Sequence, residues 1–248
     1  MIVEPKPPGA FRKARAFSVA KRAGQHNEDS WQNSRKGAGG VSDGASISFD
    51  SAAWSRILVR RYAQNPIFDR SWLDSAIAAY NELHDRDALP WMQQAAYDRG
   101  SFASLLGVRL CDPLRVAVLA IGDSIALLCD RDRIVASFPY EAPEQFEADP
   151  QLLSTNTAEN KFLERLDIAK DLSLEWDLGA LERPALLCAT DALGCWVLTQ
   201  RGREPSPIAM LRRIKTRRDF ARLVASERAA GRLRRDDATF LAYWDWSE

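Results

Sequence analysis

Histidine and cysteine are scarce in this 248-residue chain, which holds 2 His and 4 Cys. Two histidines are too few for a histidine-rich metal centre, and the cysteines form none of the closely spaced pairs found in zinc ribbons and disulfide scaffolds. No apolar run approaches the roughly 18 residues that a membrane-spanning helix needs. The first residues carry charge and proline where a signal peptide has an apolar core. We therefore expect a cytoplasmic protein with reduced cysteines and no membrane partner.

An excess of charge of one sign is also absent, because 34 Lys and Arg balance 34 Asp and Glu. This balance removes the simplest argument for a nucleic-acid partner. The distribution is uneven, however, since residues 201–235 hold 12 basic and 3 acidic residues, a local net charge of +9. We interpret this stretch as a solvated basic helical face, with a docking surface for an acidic or phosphorylated partner as the alternative. Nucleic acid is disfavoured there, because Phe220 is the only aromatic residue available for stacking on bases.

The spacing of apolar residues predicts both helices and strands. Helical spacing covers residues 51–63, 71–79, 90–98, 191–199 and 206–230, and short apolar runs between turn signals predict strands over 16–20, 39–42, 101–111, 115–121, 124–130, 133–138, 184–189 and 238–244. Residues 139–166 are acidic and irregular, and residues 1–15 form a lead-in rich in Pro, Lys and Arg. We expect one α+β domain over 16–248, with helices packed outside antiparallel sheets.

Acidic residues recur where a predicted strand ends or a turn begins. Five segments share this property: residues 27–29 (NED), 42–46 (SDGAS), 122–124 (GDS), 189–193 (ATDAL) and 236–239 (DDAT). Carboxylates at strand ends, beside small residues, can converge on Mg²⁺ or Mn²⁺, which prefer oxygen ligands. Two such ions about 4 Å apart can clamp a phosphate and activate a bridging water. Each segment alone is weak evidence for a metal site, because an Asp-Gly pair usually forms only a turn. The interpretation therefore depends on the order of the five segments along the chain.

In this order the segments resemble the metal-dependent serine/threonine phosphatases of the type 2C family, in its bacterial branch. The resemblance runs from about residue 16 to 243, with residues 100–104 (GSFAS) where the family has a Gly-Ser-Thr-Ala strand start. It implies a four-layer α-β-β-α sandwich of two antiparallel sheets flanked by helices. It also implies hydrolysis of phosphoserine and phosphothreonine on proteins, opposing a serine/threonine kinase. Two ions of Mn²⁺ or Mg²⁺, with a third in some members, would activate a bridging water without a phosphoenzyme.

The resemblance assigns metal ligands residue by residue. Asp43 would bridge both ions, and the second ion would also be held by the Gly44 carbonyl and by Glu28. The other ligands would be Asp191 and Asp236 on the first ion and Asp123 on a third, weaker one.

The resemblance also assigns two residues to the support of these ligands. Asp29 and Asp237 would orient ligands or waters beside them. Residues 139–166 fall where many relatives carry a mobile flap beside the active site, and a plain surface loop is the alternative.

The chain departs from the family pattern in the region of the substrate phosphate. Gly24 stands where many members have a phosphate-binding arginine, and Arg22 or Lys21 could reach in instead, although lysine is the poorer bidentate partner. Ala45 stands where eukaryotic members place a histidine. His26 is the nearest replacement in sequence, and an ordinary polar loop residue is its alternative interpretation.

A third departure concerns Cys195, which stands where some bacterial members have a second aspartate for the third ion. Together these departures support an alternative function, a catalytically weak or inactive phosphatase-fold adaptor that binds a phosphoprotein or kinase. The retained carboxylates argue against it, because a binding module has no use for several converging acidic groups.

Overall fold

The computed structural model describes residues 14–22, 24–34 and 37–244. The predicted lead-in therefore lies outside the described residues up to position 13. The described part forms twelve strands: β1 (Ala14–Val19), β2 (Ser30–Asn33), β3 (Ala38–Ser42), β4 (Phe102–Ala103), β5 (Leu105–Asp112), β6 (Arg115–Ile121), β7 (Ile125–Asp130), β8 (Arg133–Phe138), β9 (Leu153–Ser154), β10 (Ser173–Asp177), β11 (Pro184–Ala189) and β12 (Ala238–Tyr243). Its α-helices are α1 (Ser51–Gln64), α2 (Arg70–Asn81), α3 (Trp91–Arg99), α4 (Ile168–Asp171), α5 (Asp191–Thr199), α6 (Pro207–Arg212) and α7 (Arg217–Ala229).

Two antiparallel five-stranded sheets face each other. One has the order β1-β12-β11-β7-β8 and the other β10-β6-β5-β3-β2, while β4 and β9 form a separate two-stranded sheet. Alternation along the buried strand β11 shows the layering, because successive side chains of a strand point to opposite faces. Leu186 and Cys188 pack between the sheets, whereas Leu187 packs against the cluster that includes α5, α6 and α7.

Helices α1 and α2 cover the outer face of the other sheet. Trp54, Leu58 and Tyr62 follow one another at i, i+4 and i+8 on α1 and are buried against β5 and β6. The Tyr62 ring occupies the space above Gly107, where an added Cβ would lie 2.3 Å from its Cε1. The result is the four-layer α-β-β-α sandwich that the sequence predicts.

Several predicted elements differ from the structure. The helix predicted over 206–230 is two helices, because the Thr216 hydroxyl and the Asp219 carboxylate form a capping box that starts α7 afresh. The strand predicted over 101–111 is divided into β4 and β5. The edge strands β2 and β10 were missed because they are polar and partly exposed, without an apolar run.

Residues 139–166 are mostly irregular, as predicted, with 3₁₀ turns at Pro143–Glu147 and Thr157–Arg165. Trp91, the first residue of α3, is 78% exposed. Among the described residues, no helix combines the length and apolarity needed to cross a membrane.

Candidate active site

Several of the predicted carboxylates lie at strand ends of the two sheets. Asp43 follows β3, Asp123 follows β6, Asp191 follows β11, and the Asp236–Asp237 pair precedes β12. Burial raises the pKa of Asp43 well above its usual range, and nearby negative charges raise it further. These charges belong to Asp29, Asp123, Asp236 and Asp237. Segments that are far apart in sequence therefore form one acidic cluster around Asp43.

The backbone of Asp43 is fixed by the strand beside it. Its N–H donates to Ser104 Oγ over 2.9 Å, and its carbonyl accepts from the Ser104 N–H over 2.8 Å. The Ser104 hydroxyl also shares a 2.7 Å hydrogen bond with the Ser124 hydroxyl, next to Asp123. This network ties the loops that carry the two aspartates to each other.

Gly44 lies in a space too narrow for any side chain. A Cβ there would stand 2.8 Å from both Cβ and the carbonyl oxygen of Ser51 and 2.9 Å from the Glu28 carbonyl oxygen. Glycine is therefore required by this close approach of backbones. The approach also places Glu28 and Gly44, the two predicted ligands of the second ion, side by side.

The Glu28 carboxylate is held by three donors. Ser51 Oγ lies 3.0 Å from Oε1, and Lys21 Nζ lies 3.0 Å from Oε2, which also accepts from the Ser46 hydroxyl. Burial raises the pKa of Glu28, but the hydrogen bonds from Ser46, Lys21 and Ser51 outweigh it, so the net pKa lies below its usual value. Glu28 is therefore ionised at neutral pH.

Asp29 is a buried carboxylate with one unused oxygen. Its Oδ2 accepts from Thr190 Oγ1 over 2.9 Å, whereas its Oδ1 has no hydrogen-bond partner among the described residues. Burial raises the pKa of Asp29 to about 7, and the charge of Asp237 adds to this, while hydrogen bonds from Thr239 and Thr190 oppose it. A buried oxygen without a donor calls for a proton, a water or a cation.

Asp237 holds the turn that precedes β2. Its carboxylate accepts from the backbone N–H of Lys21 over 2.6 Å and from that of Glu28 over 2.7 Å. Its own N–H donates to Asp236 Oδ1 over 2.9 Å. Asp237 thus joins the start of β12 to the segment that carries Glu28.

Asp191 begins helix α5 and forms an ion pair outside the predicted set. Its Oδ1 accepts from the Ala192 N–H, and its Oδ2 pairs with the Arg234 guanidinium. The charge of Arg234 also acts on Asp123, where it opposes the rise in pKa that burial causes. Sequence reasoning treated Arg234 only as part of a basic stretch.

That basic stretch is not a uniformly solvated face. Glu227 is only 2% exposed, and its carboxylate accepts from Arg232, Arg203 and Trp196. Next to it, Arg228 donates to the carbonyls of residues 20, 21 and 236. The stretch therefore stabilises two segments that border the acidic cluster, one at residues 20 and 21 and the other at residue 236. The contacts of Arg228 with residues 20 and 21 join positions 208 and 207 apart and leave no signal in a single sequence.

The structure does not bring Arg22 or His26 into the cluster. Both side chains are exposed, and neither forms a hydrogen bond or ion pair within the described part of the chain. Lys21 instead forms an ion pair with Glu28. The expectation that Arg22 or His26 serves the substrate phosphate stays a prediction.

The first part of residues 139–166 packs against helix α5, which begins at Asp191. Phe146 approaches Gly194 on α5 and contacts the ring of Tyr140 at a centroid distance of 4.6 Å. Cys195 on the same helix lies with its Sγ 3.9 Å from the carbonyl oxygen of Pro143. The start of this segment is thus anchored on α5.

The donors suit a hard divalent cation, because every converging group is an oxygen. A divalent cation bound here would offset the burial and the mutual repulsion that raise the pKa of Asp43, and it would give the Asp29 oxygen a partner. In the part of the chain that the structure describes, no three His, Cys, Asp or Glu side chains are arranged so that they could hold a metal ion together. Glu28 and Asp191 are instead paired with side-chain cations.

Comparison with known proteins gives matches in structure alone. No protein-family model matches the sequence, and no curated protein matches it. Among solved structures, the serine/threonine phosphatase Stp1 from Staphylococcus aureus matches with 14% identity and a TM-score of 0.59, covering 98% of this chain and 99% of that one. The Mycobacterium tuberculosis serine/threonine phosphatase PstP/Ppp matches with 17% identity and a TM-score of 0.58, covering 95% and 99%.

The catalytic domain of PstP in complex with two manganese ions also matches, with 17% identity and a TM-score of 0.55, covering 95% of this chain and 98% of that one. At such identities the likeness concerns the fold. It confirms, at that level, the predicted resemblance to type 2C phosphatases and the predicted pair of antiparallel sheets flanked by helices.

Proposed function

We propose that this chain is a metal-dependent phosphatase that hydrolyses phosphoserine and phosphothreonine on proteins. The observation that carries this proposal is the convergence of carboxylates around Asp43, supplied by segments that are distant in sequence. The structural neighbours named serine/threonine phosphatases support the same reaction class. A serine/threonine kinase is the class of enzyme that would supply such substrates.

The metal ligands that we propose are those expected from the sequence. Asp43, the Gly44 carbonyl and Glu28 would hold one Mn²⁺ or Mg²⁺ ion, and Asp43, Asp191 and Asp236 the other, with Asp123 available for a third. When bound, two such ions supply a water of lowered pKa and neutralise phosphoryl oxygens. The manganese in one structural neighbour supports the choice of cation.

The remaining residues of the site have positioning roles in this proposal. Asp237 holds the backbone that presents Glu28, and Thr190 orients the buried Asp29 carboxylate. Lys21 extends an ammonium group to the edge of the cluster, where its side chain is 27% exposed. We therefore propose Lys21, in place of Arg22 or His26, as the contact for a substrate phosphoryl oxygen.

Hydrolysis by the purified chain tests this proposal. With millimolar Mn²⁺ it should hydrolyse p-nitrophenyl phosphate and a phosphothreonine peptide, and Asp43→Asn should lower both rates by orders of magnitude. Asp149→Asn is the matched control, because that side chain is exposed on the segment beside the site. Failure of the wild-type chain on both substrates would exclude the proposal.

A non-catalytic adaptor is the second candidate. Two ion pairs favour it, Lys21 with Glu28 and Arg234 with Asp191. In each pair a basic side chain, and not a metal ion, neutralises a predicted metal ligand. Calorimetry separates the two functions. An adaptor would bind a phosphothreonine peptide in the presence of chelator, whereas the proposed phosphatase requires Mn²⁺ binding.

A further inference from the structure

We infer that Lys21 and Arg234 are built-in counter-ions of the carboxylate cluster, which a divalent cation must displace, so that these two side chains set the metal affinity of the site. This inference rests on the proposed function, since it concerns the same ligands. It goes beyond that function because it identifies the side chains that compete with a metal ion for these ligands.

The position of Lys21 is fixed at both ends. Its backbone N–H is held by Asp237 at 2.6 Å, and its ammonium group lies 3.0 Å from Glu28 Oε2 and 2.6 Å from Ser46 Oγ. The hydrogen bond to Glu28, which outweighs burial, raises the pKa of Lys21, so the group is charged at neutral pH. The Lys21 ammonium group therefore occupies Glu28 Oε2, the oxygen that a metal ion bound by Glu28 would use.

Arg234 occupies the other side of the cluster in the same manner. Its guanidinium pairs with Asp191 Oδ2, in a contact where the Asp191 side chain is 11% exposed and the arginine 42%. The preceding turn is fixed, because Arg232 binds the buried Glu227 and the Leu233 side chain is itself buried. The backbone that leads into Arg234 is therefore held in place on its N-terminal side.

Repulsion among the carboxylates explains why the basic groups of Lys21 and Arg234 lie beside them. Converging carboxylates repel one another, and the repulsion is strongest where burial reduces screening by water. Lys21 and Arg234 offset part of this cost in the metal-free protein. A divalent cation must break both ion pairs before it gains Glu28 and Asp191 as ligands, so each pair lowers its affinity.

The chain supplies a matched control next to each cation. Arg22 and Arg235 carry the same charge one position away, are exposed, and pair with no carboxylate in the described residues. Neutralising them changes the general field around the cluster while leaving both ion pairs intact. Any difference between neighbouring variants therefore reports the ion pair itself.

Calorimetric titration of the full chain with Mn²⁺ tests the inference. Lys21→Met and Arg234→Met keep an unbranched stem, and each should bind Mn²⁺ about three- to tenfold more tightly than Arg22→Met or Arg235→Met, respectively. The double variant should gain both effects, because the pairs involve separate carboxylates. In thermal unfolding without metal, both single variants should melt below their controls, and saturating Mn²⁺ should remove this difference.

Equal or weaker Mn²⁺ binding by Lys21→Met and Arg234→Met, relative to their controls, would overturn the inference. So would the absence of Mn²⁺ binding by every variant and by the wild type. The proposed function fails separately, if the wild-type chain binds Mn²⁺ as expected but hydrolyses neither phosphate substrate. A variant that unfolds without metal but recovers a folded melting transition in Mn²⁺ supports the inference, because the counter-ion then stabilises only the metal-free state.

Discussion

The buried carboxylate of Glu227 gives the most quantitative prediction about stability. It accepts from Arg232 Nε and Nη2 at 2.6 and 2.9 Å, from Arg203 Nη1 at 3.1 Å and from Trp196 Nε1 at 3.1 Å. Its side chain is 2% exposed, whereas each arginine is about one-third exposed. Glu227→Gln keeps the shape and removes the charge, which leaves the arginine donors facing a neutral amide.

The pKa of Glu227 gives the size of this effect. The hydrogen bond from Arg232, opposed by burial and aided by bonds from Trp196 and Arg203, lowers its pKa from 4.5 to about 2. At 1.36 kcal/mol for each pKa unit, this difference corresponds to about 3 kcal/mol of unfolding free energy. The folded pKa is the lower one, so this stability is present above pH 4.5 and is lost as the pH falls towards 2.

Urea unfolding of wild type and Glu227→Gln, at pH 7 and pH 3, checks this prediction. The variant should lose about 3 kcal/mol at pH 7 and roughly half of that at pH 3. Exposed Glu147→Gln is the control and should change little at either pH. A loss for Glu227→Gln that is the same at both pH values would refute the assignment of a charged, ion-paired Glu227.

Three further substitutions test the packing and the hydrogen bonds around the site. Gly107→Ala places a Cβ 2.3 Å from the Tyr62 ring and should cost about 1–3 kcal/mol in urea unfolding, and an unchanged midpoint would contradict this contact. Thr190→Val removes the donor to Asp29 Oδ2 and should cost about 1–3 kcal/mol; a stability equal to wild type would show that this hydrogen bond is unimportant. Asp237→Ala leaves two backbone N–H groups without their acceptor and should weaken Mn²⁺ binding as well as stability, so wild-type Mn²⁺ affinity would argue against its positioning role.

The buried parts of the fold could be predicted because burial imposes a pattern on the sequence. Strand β11 is an uninterrupted apolar run, since both of its faces are covered. Strands β2 and β10 lie at the edges of their sheet and carry polar side chains, so their pairing leaves no such pattern. The break before α7 depends on a local hydrogen bond of Thr216, which helical spacing alone does not indicate.

The acidic part of the site could be predicted for a related reason. Asp43 directly follows β3, Asp191 lies two residues after β11, and their order along the chain matches a known family pattern. The basic side chains that pair with these carboxylates could not be predicted. Lys21 and Arg234 reach their partners through long flexible side chains, whose direction depends on the tertiary fold. Arg228 likewise contacts a carbonyl 208 positions away.

Metal-dependent hydrolysis is best tested by the release of phosphate from a phosphothreonine peptide. The chain is first stripped with chelator and then supplied with Mn²⁺. We expect a negligible rate without metal, a rate restored by Mn²⁺, and no restoration in Asp43→Asn. Hydrolysis that is indifferent to chelator, or a stripped chain that remains inactive in saturating Mn²⁺, would contradict this expectation.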